Sequence, residues 1–173
     1  MIIFKSSKEL FTHLLNEFYS ELPSRVFITT YGLWCGVNNK GDVLARCTTY
    51  KLLDYLDYHS TVCKTTIVVG YDNMISDIVY ATASRFKNIE FVAVNELHSK
   101  CIITSTGIFC VGSSNLTDSD WYELNLYNHV DVENPDYLEI HSHINDVCNY
   151  RGERIVPKKC DCVNTDDLIR SLV

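Results

Sequence analysis

Runs of β-branched and aromatic residues alternate along this 173-residue chain with segments whose apolar residues recur at helical spacing, and this alternation constrains the fold more than any other feature. A chain that switches repeatedly between the two periods buries both kinds of face by stacking helices on a sheet, so the reading is α/β. Ser6 and Glu9 form an S-x-x-E capping box ahead of Leu10, Leu14, Phe18 and Leu22, with Phe11 and Leu15 widening the stripe. A first helix is therefore predicted to end near Pro23. RVFITTY, residues 25–31, reads as a strand that runs into the irregular stretch GLWCGVNNKGD. Leu52, Leu53 and Leu56 mark a second helix, and TTIVVGY, residues 65–71, a strand buried on both faces. Asn73 is placed to cap a third helix reaching about Phe86, with Ile75, Ile78, Val79 and Ala83 facing inward, before the strand IEFVAV at 89–94. Asn134 and Pro135 open a further helix whose apolar face carries Tyr137, Ile140, Ile144 and Val147.

The size of the core follows from composition. With 46% apolar residues and three prolines, the chain can bury one core and is too short for two comfortable ones. One domain over residues 1–173 is expected, with 150–173 leaving room for a C-terminal extension. No apolar run approaches the roughly 20 residues of a membrane span, and MIIFKSSKEL has neither the apolar length nor the charge order of a secretory signal. The expectation is a cytoplasmic protein without membrane association. Its eight cysteines fall mostly in core-like segments and read as reduced thiols. Cys160 and Cys162 with His141 and His143 do not make a standard zinc spacing, so no metal and no cofactor are expected. A formal charge of −7 argues against a protein that coats nucleic acid nonspecifically, since such binding runs on phosphate neutralisation. It leaves room for a local basic groove. The densest basic cluster, RGERIVPKK at 151–159, reads first as a solvated tail.

Residues 97–117, LHSKCIITSTGIFCVGSSNLT, concentrate the chemistry. KCIIT and IFCVG are β-prone runs joined by Ser105, Thr106 and Gly107, a hairpin pattern. His98 and Lys100, two positions apart, project from one face if the strand includes them, and Ile102 continues that face. The polar turn GSSN then offers backbone amides, the Ser113 hydroxyl and the Asn115 amide as hydrogen-bond donors. Each element alone is as well explained by a structural histidine and an ordinary turn.

Together they are more specific. His98-x-Lys100, eleven intervening residues and Gly112-Ser113-x-Asn115 resemble the HKD motif of the phospholipase D superfamily, HxKx4Dx6GSxN, with its overall spacing kept and Ser105 at the motif's Asp position. A serine there still suits a turn. Glu123-Leu124-Asn125 is similar to the E-x-N strand start that follows GSSNL in nuclease branches of that superfamily, which makes Glu123 the candidate for orienting the imidazole. The order of elements resembles one whole superfamily domain: a mixed β-sheet flanked by helices on both faces.

The resemblance implies catalysis by His98, Lys100, Asn115 and Glu123, with Lys100, Ser113 and Asn115 binding phosphate in place of a metal. Family members combine two motifs per active site and this chain has one, so a homodimer is implied in which two His98 residues meet. Among superfamily activities, a metal-independent nuclease acting on DNA or RNA fits a single-motif chain of this size best. A phospholipase or phosphatidyl-transfer enzyme, and a weakly catalytic nucleic-acid- or protein-binding member, are the alternatives.

Overall fold

The computed structural model describes residues 1–118 and 122–155, with side chains up to 147 and again from 152. Eight strands form one mixed sheet: β1 (Ile2–Phe4), β2 (Arg25–Thr30), β3 (Lys64–Tyr71), β4 (Glu90–Asn95), β5 (Cys101–Thr104), β6 (Ile108–Gly112), β7 (Asn125–His129) and β8 (Glu153–Arg154). Four helices accompany them: α1 (Ser7–Ser20), α2 (Thr48–Tyr58), α3 (Asp77–Arg85) and α4 (Pro135–Arg151). The order across the sheet is β1-β7-β6-β5-β2-β3-β4-β8. β2, β3 and β4 run parallel, as two crossover helices require, while β5 returns antiparallel against β2 and leads into the β5–β6–β7 meander.

The sheet is covered unequally on its two faces. On one, Leu10, Phe11, Leu14, Leu15 and Phe18 of α1 and Leu52, Leu53 and Leu56 of α2 join Val26, Ile28, Ile67, Val69, Phe91 and Ile102 in the main core. On the other, Tyr137 and Ile144 of α4 pack with Phe27, Cys101 and Ile103, and Val147 packs against Val68, Val92 and Val94. Alternation along β2 sends Val26 and Ile28 to one side and Phe27 to the other, which is why the middle of this strand is apolar on both faces. α1 starts with the first half of its capping box, the Ser6 hydroxyl accepting from the Glu9 N–H, while the Glu9 carboxylate reaches one residue past the cap to the Lys5 N–H.

Several sequence expectations are corrected. Asn73 does not cap α3. It carries a positive φ in the approach to the helix, and Ser76 is the cap, its hydroxyl accepting from the Val79 N–H. Ile75 therefore lies outside the helix. The strand β5 begins at Cys101, so His98 and Lys100 stand in the connection before it rather than on the strand. Part of the basic cluster read as a tail is ordered: β8 pairs antiparallel with β4, and Arg154 forms an ion pair with Glu90 at 2.7 Å. β1 and β8, three and two residues long, are too short to carry a readable alternation. Cys160, Cys162, Lys158 and Lys159 lie outside the described residues. His141 packs on Phe27 and Tyr137 and bonds Asn145, and among the described residues no cluster could hold a metal ion. No described helix is long and apolar enough to cross a membrane.

Candidate active site

The topology itself delivers the histidine. β4 ends at Asn95 on the far side of β3, whereas β5 begins at Cys101 beside β2, so residues 96–100 must cross the C-terminal end of β3. Glu96 makes the turn with a φ of 59°, its N–H bonded to the Tyr71 carbonyl. Leu97 then passes so close that a Cβ on Gly70 would stand 1.9 Å from its carbonyl oxygen. Only a residue without a side chain lets the crossing lie this flat. His98 follows directly.

The His98 ring stacks on Tyr31, just past β2, with centroids 4.5 Å apart and planes 14° from parallel. Its Nε2 lies 3.7 Å from Asp72 Oδ1, at the end of β3. Tyr31 in turn donates its hydroxyl to Asp72 Oδ2 at 2.6 Å. That hydrogen bond to a carboxylate, with smaller contributions from desolvation and the Asp72 charge, holds the Tyr31 phenol above its ordinary pKa. Lys100 Nζ donates to the His98 carbonyl at 3.0 Å and lies 6.0 Å from the Tyr31 ring centroid. Both motif side chains therefore gather at one tyrosine. An ammonium has three N–H groups, so this contact leaves Lys100 two for a ligand.

The GSSN segment reaches the same place from β6. The Gly32 N–H donates to Asn115 Oδ1 at 2.8 Å, the Leu116 N–H donates to Thr30 Oγ1 at 2.8 Å, and Trp34 N–H donates to the Leu116 carbonyl. These bonds stitch the turn to the C-terminal end of β2. Because the Gly32 N–H can only donate, the oxygen of the Asn115 amide must face it, which fixes the NH2 group on the other branch of the amide. A Cβ at Gly32 would press on the Asn115 amide at 3.2 Å, so this close approach again uses a glycine. Ser113 accepts from the Leu124 N–H at 3.0 Å and is exposed.

Glu123 is held elsewhere: its carboxylate accepts from the buried Ser114 hydroxyl, which also accepts from Asn125 Nδ2 at 2.6 Å. Among the described residues of one chain, the carboxylate that meets His98 is Asp72. Ser105 lies at the other end of β5, where its hydroxyl accepts from the Arg25 N–H at 3.1 Å and the Ser24 hydroxyl at 3.0 Å. Sequence reasoning named His98, Lys100, Ser113, Asn115 and Glu123 for the site, of which Glu123 is held on Ser114, and missed Tyr31, Gly32, Gly70 and Asp72. Their one available signal was position: all four fall at the C-terminal ends of two parallel strands, where open α/β sheets bind ligands.

No family model and no curated protein matches the sequence. Solved structures do match. A phospholipase D family member, Nuc from Salmonella typhimurium, aligns with a TM-score of 0.64 at 14% identity, over 88% of this chain and 95% of that one. NucT from Helicobacter pylori aligns with a TM-score of 0.54 at 16% identity, over 84% and 92%. TrmBL2, an archaeal chromatin protein whose structure shows a novel mode of DNA binding, aligns with a TM-score of 0.50 at 14% identity, over 88% of this chain and 54% of that one. At these identities the likeness establishes the fold: this chain has a phospholipase D-like architecture.

Proposed function

We propose that the chain is a phosphodiesterase of the phospholipase D type that cleaves nucleic acid without a metal, in a homodimer that joins two copies of His98. The observation carrying this reading is the convergence of His98, Lys100 and Asn115, at HKD spacing, over the C-terminal end of β2 in a phospholipase D-like fold.

Each group has a task its chemistry suits. His98 attacks phosphorus, forming an N–P bond as the P–O ester bond breaks, and the departing alkoxide takes a proton from the second imidazole. Water then attacks the phosphohistidine, surrendering a proton to that imidazole, and the N–P bond breaks to free His98. Charge on the phosphoryl oxygens is met by the Lys100 ammonium, by the NH2 of Asn115 and by the Ser113 hydroxyl. Glu123, held on Ser114, supports the turn that carries Ser113 and Asn115.

A second copy is needed to supply the second imidazole, and the surface beside the site suits one. Val111, Leu126 and Ile3 are opposite one another across β6, β7 and β1, and all three are exposed, as is neighbouring Leu124, whose N–H bonds Ser113. Such a strip beside an incomplete site fits a self-complementary interface. The test is cleavage of single- and double-stranded DNA, RNA and bis-p-nitrophenyl phosphate in EDTA, with sedimentation at roughly tens of micromolar. Cleavage in chelator by a dimer, both lost in Leu126→Asp, supports the reading; turnover by a monomer, or none on any substrate, refutes it.

A further inference from the structure

A cavity of about 300 Å3 opens beside His98 at the C-terminal ends of the parallel strands. Three of its lining residues belong to the phosphate-facing side: Tyr31 stacks on the imidazole, Asp72 meets Nε2, and the Gly32 N–H holds Asn115. Beyond them the wall turns apolar, with Val69 and Val79 buried and Ile75 half-buried. The cavity is at the small end of the range for ligand pockets, room for a single heterocycle rather than a long chain.

Its charge pattern sorts the parts of a nucleotide. The Asp72 carboxylate at the rim repels a phosphate, which Lys100 and Asn115 attract a short distance away. The same carboxylate accepts hydrogen bonds from ring N–H or amino groups, and the apolar wall beyond it covers a flat ring. We propose that this cavity is a nucleobase subsite, seating the base of the nucleotide whose phosphate lies at His98, Lys100 and Asn115. The placement of the phosphate rests on the phosphodiesterase reading.

The test compares deoxyadenosine 5′-monophosphate with deoxyribose 5-phosphate, which lacks the base, in methyl NMR titrations of the full chain. The nucleotide should bind at least about tenfold tighter, as expected for a stacked or buried base, and should shift the methyl signals of Val69, Ile75 and Val79 while the sugar phosphate leaves them in place. Ile75→Trp, which fills the cavity, should erase the preference and leave sugar-phosphate affinity as it was. Ile75→Ala should keep the Val69 and Val79 shifts and shows that the position tolerates change. Equal affinities, unmoved methyls, or an Ile75→Trp chain that still prefers the nucleotide would overturn the subsite. The nuclease reading fails separately: nucleotide that moves the methyls of a protein cleaving no nucleic acid keeps the cavity and removes the activity, while cleavage with unmoved methyls does the reverse.

Discussion

Gly70→Ala tests how the site is positioned, because it adds one methyl group where the chain crosses to His98. An ideal Cβ there stands 1.9 Å from the Leu97 carbonyl oxygen and 3.1 Å from the Tyr31 ring. Cβ atoms essentially never approach closer than 3.0 Å, so from 1.9 Å the carbonyl must back away by about 1.1 Å. The residue that moves is bonded to His98, and the added methyl also crowds the ring on which His98 stacks. Displacing a reacting group by about 1 Å costs on the order of a hundredfold in rate. Overpacking costs about 1–3 kcal/mol of stability, a fraction of the roughly 5–15 kcal/mol of an ordinary domain, so the variant should still fold. The assay is kcat for bis-p-nitrophenyl phosphate well below the melting temperature, beside Leu14→Ala. Leu14 is fully buried in α1 and is none of the site residues; its truncation should cost about 2–5 kcal/mol yet leave kcat nearly unchanged. A folded Gly70→Ala protein with kcat within roughly threefold of the parent would refute the claim that the Leu97 crossing sets the place of His98.

Ser105→Asp should keep activity within a few fold, because the four residues of β5, a span of roughly 17 Å, separate it from Lys100 and its hydroxyl serves Ser24 and Arg25. A gain of about a hundredfold, near 3 kcal/mol in the barrier, would show that a carboxylate there is functional. His98→Ala should abolish turnover, and a mixed dimer with one parent chain should cleave an activated p-nitrophenyl ester once and stall with phosphate on the His98 peptide; half the parent rate on an unactivated substrate would exclude a shared site. Burial pushes Cys101 and Cys110 up to about 12 from 9.0, with the Cys101 charge a lesser cause for Cys110. The folded chain therefore keeps thiols that the unfolded chain ionises, so this stability is full below pH 9 and lost as pH rises toward 12. Urea midpoints between pH 8 and about 10.5 should fall less steeply in Cys110→Ala, and equal slopes would contradict the burial argument.

Local pattern carried the elements whose periodicity is long enough to read. The capping box of α1, the two-sided apolarity of β3 and the Pro135 start of α4 are properties of neighbouring residues, and neighbouring residues settle them. The spacing of His98, Lys100, Ser113 and Asn115 was legible for the same reason: these residues flank the β5–β6 hairpin, whose length fixes how far apart its two ends fall in sequence. Asp72, Tyr31 and Gly70 carried no such signal. Nothing near them in sequence requires an acid, a tyrosine or a glycine; the need arises only when the chain leaves β4 and crosses the end of β3 so that β5 can pair with β2, which brings residues 96–100 down on the ends of strands laid some 30 to 70 residues earlier. The cap of α3 at Ser76 rather than Asn73 likewise follows from where β3 releases the chain. Sequence by itself determined which of the longer segments are strands and helices and which side chains could do phosphoryl chemistry. Tertiary structure decided which carboxylate meets the imidazole, because hydrogen bonds and ring stacking act over a few ångströms and only the closed sheet sets distances between residues so far apart along the chain.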